Sequence, residues 1–167
     1  MTTDSHHELA GPADLARLDE VHDLLGKVWR DAPHVGVSER ARFTLIVAEL
    51  VANVIEHGAA GRPEPPHLEL TVEVRGGAIC GTLTDDGAQP PRSAPGGRRL
   101  SRPTPAVTPG APDTPITDVE IGALRESGRG LLLVRSVADD LALTHDDGRN
   151  RWRFVVRARR TPGAPAS

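Results

Sequence analysis

The nine residues Glu49-Leu50-Val51-Ala52-Asn53-Val54-Ile55-Glu56-His57 constrain this chain more than any other stretch. They are apolar enough for a buried helix, yet Glu49, Asn53, Glu56 and His57 recur at relative positions 0, 4, 7 and 8. At about 100° per residue those four share one side of a helix, with Val47, Leu50, Val51 and Val54 forming the apolar surface beside them. A carboxylate left unpaired in such a place costs several kcal/mol. Two partners are open at this point: a metal-bound phosphate, or a hydrogen-bond network of the core itself.

Around that helix the pattern is of one domain, the natural count for 167 residues. Leu15, Leu18, Val21, Leu24, Leu25 and Val28 predict a helix over 13–30, with Pro12 suited to its start. Pro33 and Gly36 break it, Ser38 is a candidate N-cap, and a second helix runs from Glu39 to His57 with Gly58 as a left-handed cap. Leu68 to Val74 alternates as a half-buried strand, and Arg75-Gly76-Gly77 turns it into a second strand over Ala78–Thr84. A third helix is expected over Gly130–Leu141. A last hairpin, Leu141–His145 with Arg151–Ala158, turns through Asp146 to Asn150. Residues 1–11 and 159–167 are expected to be flexible ends. Helices over one face of a mixed, mostly antiparallel sheet make an α+β two-layer sandwich.

Composition narrows the function. The formal net charge of −3 gives no basic field for nucleic acid. Two Trp, two Phe and no Tyr leave few rings on which bases could stack. The single cysteine, Cys80, sits in an apolar run and reads as an inert core thiol. No signal peptide or spanning segment is visible, so a cytoplasmic protein is expected. His6, His7, His57, His67 and His145 lack the spacing of a zinc site.

Two further motifs complete the chemistry. Leu83-Thr84-Asp85-Asp86-Gly87 ends a strand in an acidic turn, and Ser127-Gly128-Arg129-Gly130-Leu131 opens an apolar helix on a glycine pair. Between them, 88–118 holds eight of the chain's fifteen prolines together with Arg92, Arg98, Arg99 and Arg102. Too little of that segment is apolar to offset the entropy of ordering it, and it reads as an excursion from the domain. Glycines before a helix let backbone amides approach phosphate oxygens at the positive end of the dipole.

Glu-x-x-x-Asn on a helix, Asp-x-Gly after a strand, and Gly-x-Gly-Leu at a helix start, in that order, resemble the Bergerat-type fold of the GHKL ATPases. Over about residues 12–158 the chain looks most like the serine kinases that act as bacterial anti-sigma factors. The resemblance implies ATP and Mg²⁺ as cofactors, Glu49 as catalytic base, and Asn53 as magnesium ligand. It further implies Asp85 as adenine reader with Gly87 beside the base, Gly128, Arg129, Gly130 and Leu131 at the phosphates, and 88–118 as the ATP lid. Asp86 is left a bystander, and Glu56 and His57 have secondary roles. The implied partners are a sigma factor and an anti-sigma factor antagonist, with a possible homodimer. The chain departs from the pattern at Gln89, where a second glycine is common, at Glu126, and at Asn150-Arg151-Trp152, where a supporting threonine is expected. Beside the kinase stands a second reading, a non-catalytic ATP-dependent switch module. A histidine-kinase catalytic domain is disfavoured because only about 12 residues precede the first helix.

Overall fold

The computed structural model describes residues 4–88 and 130–158. The expected lid beyond Ala88, the glycine-pair residues Gly128 and Arg129, and the expected flexible tail from 159 lie outside the described residues.

Five strands form one sheet: β1 (Ser5–Pro12), β2 (His67–Arg75), β3 (Ala78–Asp85), β4 (Asp140–Asp146) and β5 (Arg149–Arg157). Their order is β1-β2-β3-β5-β4. Every neighbouring pair is antiparallel, so among the described residues the sheet is antiparallel throughout rather than mixed. Helices α1 (Ala16–Asp31), α2 (Val37–His57) and α3 (Gly130–Val137) complete the α+β fold. Alternation decides which face is covered. Leu68, Leu70, Val72, Val74, Ile79, Leu83, Trp152, Phe154 and Val156 are buried, while their chain neighbours are half-buried or exposed. On α2, Phe43, Ile46, Val47, Leu50, Val51 and Val54 are buried, and the helix packs on β3 and β5. Phe43 meets Phe154 at 5.3 Å between ring centroids and Trp29 edge-on at 6.0 Å, joining both long helices to the sheet. No helix among the described residues is long and apolar enough to cross a membrane.

Three expectations need correction. Residues 5–12 are not a free end: they pair along β2 from Ser5↔Val74 to Pro12↔His67. Pro12 therefore closes a strand instead of opening a helix. Arg17 makes the corner, donating from Nε to Pro12 O (3.1 Å) and from Nη1 to Ala10 O (3.4 Å) and Glu20 Oε2 (2.5 Å). Its guanidinium occupies the space a Cβ on Gly11 would need. Secondly, Ser38 lies inside α2, whose N-cap is Gly36. The Glu39 carboxylate lies against the Gly36 Cα. Thirdly, Gly58 is right-handed, at φ −65° and ψ −27°. It is glycine for space: a Cβ there would stand 2.5 Å from Val54 O and 2.8 Å from the Pro66 ring.

Candidate functional site

Helix α2 is the rail on which the three motifs meet. Near its middle, Glu49 presses its carboxylate against the Cα of Gly130, the first residue of α3; a Cβ at 130 would overlap Oε2 and lie 3.3 Å from Cδ. One turn later comes Asn53, whose Nδ2 is buried with no hydrogen-bond partner among the described residues. At the helix end Gly58 touches Gly87: a Cβ on Gly87 would lie 2.8 Å from Gly58 Cα and 3.1 Å from Gly58 O. Ala88 N donates to that same Gly58 O at 3.1 Å, locking the exit of β3 to the exit of α2. From Glu49 to Gly58 is nine residues, roughly 13 Å of helix. Arg42 fixes the far end of α3, donating from Nε to Val137 O (2.9 Å) and from Nη2 to Asp139 (2.8 Å).

Asp85, the last residue of β3, is only 3% exposed. Its Oδ1 accepts from Gly87 N (2.9 Å) and from Asn150 Nδ2 (2.9 Å). Burial pushes the carboxyl above its ordinary value, against the opposing effect of those two donors. Among the described residues both bonds fall on Oδ1 and neither on Oδ2. An acidic acceptor at a strand end with one oxygen to spare can take the amino group of an adenine and cannot pair with the carbonyl of a guanine.

Asn150 is the residue that sequence reasoning missed. The turn expected over Asp146 to Asn150 is Asp147-Gly148 alone, both at positive φ (49° and 73°). That places Asn150 on β5 opposite Asp85, 2% exposed, in the inward series of Trp152, Phe154 and Val156. The signal was present in the Asp-Gly pair, the preferred composition of a two-residue hairpin turn, and in the alternation that follows it.

The remaining candidates divide. Gly130 stands at the head of α3, while the Leu131 side chain is 4% exposed within the core, leaving only its backbone to face a ligand. Glu56 and His57 are exposed and pair with each other at 3.7 Å. Asp86 has a structural role: Oδ1 accepts from His67 N at 2.7 Å and the carboxylate pairs with Arg62. Although partial burial acts to raise its pKa, the His67 amide and the Arg62 guanidinium prevail and hold it below the usual carboxylate range. It fastens the loop after α2 to the end of β3.

Among the described residues no group of three or more His, Cys, Asp or Glu side chains could hold a metal ion. Mg²⁺ bound with a nucleotide takes most of its shell from phosphate and water, and of Asn53 only the side-chain oxygen, not the unpartnered Nδ2, has the chemistry of a ligand to it.

Residues 11–156 match the family model described as histidine kinase-like ATPase domain. In fold the chain is similar to a crystal structure of the RsbU and RsbW domains of Rv1364c from Mycobacterium tuberculosis, at 15% identity and a TM-score of 0.57. The match covers 93% of this chain and 32% of that one, so the chain spans a minor part of the length of its structural neighbour. No curated protein sequence matches. With the family model extending over nearly all of the sequence, from the end of β1 to the end of β5, the chain belongs to the histidine kinase-like ATPase (GHKL) family.

Proposed function

We propose that this ATPase domain is a serine/threonine kinase of the anti-sigma type, which binds a sigma factor and phosphorylates an anti-sigma factor antagonist. The observation that carries the kinase reading is the Glu49 carboxylate lodged at the head of α3 one turn from Asn53. A helix start is where phosphate is favoured. A carboxylate beside it can receive the proton of an attacking hydroxyl.

In this reading Asp85 Oδ2 receives the adenine amino group, Gly87 clears space for the base, and Gly130, with Gly128 and Arg129 before it, receives the phosphates. Asn53 would hold Mg²⁺ through its side-chain carbonyl, and the ion would supply charge neutralisation at the phosphate oxygens. Glu49 takes the proton from a Ser or Thr hydroxyl as its oxygen bonds to the γ-phosphorus and ADP departs. Such transfer depends chiefly on positioning and electrostatics, which a rigid helix carrying both polar residues supplies. The resemblance of the three motifs to the anti-sigma serine kinases supports the choice of partners, and the likeness to a structure containing an RsbW domain is consistent with it in fold.

The test is incubation with labelled ATP, magnesium and candidate antagonist proteins from the same genome. Transfer of label to a Ser or Thr of one of them supports the kinase. Tight ATP binding with no transfer to any of them would favour a nucleotide-switched binding module.

A further inference from the structure

We propose that His145 is a positioning residue for adenine selectivity, acting through the Asn150 amide to hold the Asp85 carboxylate in register. The inference rests on the reading of Asp85 as adenine acceptor.

The strand register makes the arrangement. Asp85 lies opposite Asn150 across β3 and β5, and Asn150 lies opposite His145 across β5 and β4. Directly opposed residues send their side chains to the same face, so the three form one row across the sheet. Asn150 Nδ2 reaches Asp85 Oδ1 at 2.9 Å and Ala88 O at 3.1 Å. A carboxylate and a backbone carbonyl only accept, so chemistry alone fixes which end of the amide is nitrogen. The amide oxygen must then face His145 Nδ1, 2.8 Å away. Nδ1 therefore carries a hydrogen and donates it. Both the Nδ1–H tautomer and the imidazolium do so, and the contact survives either state of the ring.

Each member thus has its partners assigned. Asn150 makes three hydrogen bonds, two as donor and one as acceptor. Asp85 Oδ1 is filled by Asn150 and Gly87, which hold the carboxylate by that oxygen. Removing His145 frees one of the three anchors of the amide, and the carboxylate it holds loses definition. Of the side chains next in the rows, Leu143 carries no donor that could substitute.

The experiment compares ATP with purine riboside triphosphate, which lacks only the 6-amino group, by calorimetry on the full chain. Wild type should prefer ATP. His145→Ala should lower that preference roughly three- to tenfold, the worth of one hydrogen bond, with the analogue's affinity unchanged. His145→Asn, which returns a donor near the position of Nδ1, should restore the preference, and His145→Gln, which extends past it, should not. An unchanged ratio in His145→Ala, whether both affinities fall together or neither moves, overturns the proposal, as does failure of His145→Asn to restore it. If His145→Ala does not fold, the contrast between Asn and Gln decides alone. Lack of any preference in the wild type would instead refute Asp85 as the adenine acceptor.

Discussion

Replacing Gly87 by alanine tests whether the junction of β3 with α2 is built as described. The added methyl would stand 2.8 Å from Gly58 Cα, 2.9 Å from Asp85 Oδ1 and 3.1 Å from Gly58 O. Carbon atoms pack comfortably at about 3.5–4.0 Å, so the Gly58 contact must open by roughly 0.7 Å. No neighbour can yield freely. Moving Gly58 strains the bonds from Ala88 N to Gly58 O and from Gly58 N to Val54 O; moving the carboxylate strains its bonds from Gly87 N and Asn150. Overpacking of this kind costs about 1–3 kcal/mol. For a chain of this size that lowers Tm by roughly 2–12 °C. Gly26 supplies the control, since it is exposed within α1 and a Cβ there meets nothing within 4 Å. Gly26→Ala should stabilise by about 0.5–1 kcal/mol through helix propensity. The same chemical change is thus expected to act with opposite sign at the two sites. Thermal unfolding followed by circular dichroism reads the sign, and calorimetry should show ATP affinity falling roughly five- to hundredfold in Gly87→Ala alone. A Gly87→Ala protein that melts at or above the wild-type temperature would refute the close contact, and one with unchanged ATP affinity would detach Asp85 from the nucleotide.

Other expectations follow from the same geometry. Glu49→Ala should slow phosphoryl transfer by roughly 10²–10⁴-fold with little change in ATP affinity, and full turnover in a single-turnover assay would remove Glu49 as the base. Gly130→Ala meets the flexible end of Glu49 instead of backbone, so turnover should fall while the melting temperature stays near the wild-type value; equal loss of both would place the defect in the fold. Asp85→Asn should weaken ATP binding by about 1–3 kcal/mol without weakening GTP equally. The pH dependence has a definite sign. Because burial raises the Asp85 pKa, its contribution to stability is fully present below the unfolded value and lost as pH rises through the folded one. Urea unfolding of Asp85→Asn and wild type should therefore show the variant's relative stability greatest at neutral pH and declining as pH falls, and a difference independent of pH would contradict a buried, raised carboxyl.

What the sequence made legible was whatever repeats. Period 3.6 marks α1 and α2, period 2 marks β2 and β3, and the order of the three motifs leads to the family. β1 escaped because Ser5-His6-His7-Glu8-Leu9-Ala10-Gly11-Pro12 has one large apolar residue and two that weaken strands. It is a strand because the edge of β2 offers it a ladder, a contact more than 50 residues away in sequence that no local pattern encodes. The supporting half of the proposed adenine site was hidden for a different reason. Threonine was expected near the end of the chain, where Asn150 instead spans an acidic acceptor, a backbone carbonyl and an imidazole with one amide. A motif search keyed to residue type passes over such a substitution, whereas a question about satisfaction does not. A buried aspartate at the end of β3 requires a donor across the sheet, register allows only the residue opposite, and position 150 then has to carry an N–H. Having given both its hydrogens, that amide requires a donor for its own oxygen, and the strand beyond supplies His145. The row is therefore deducible outward from Asp85 once strand order is known. Strand order, which seats β5 beside β3, is the information the linear sequence withheld.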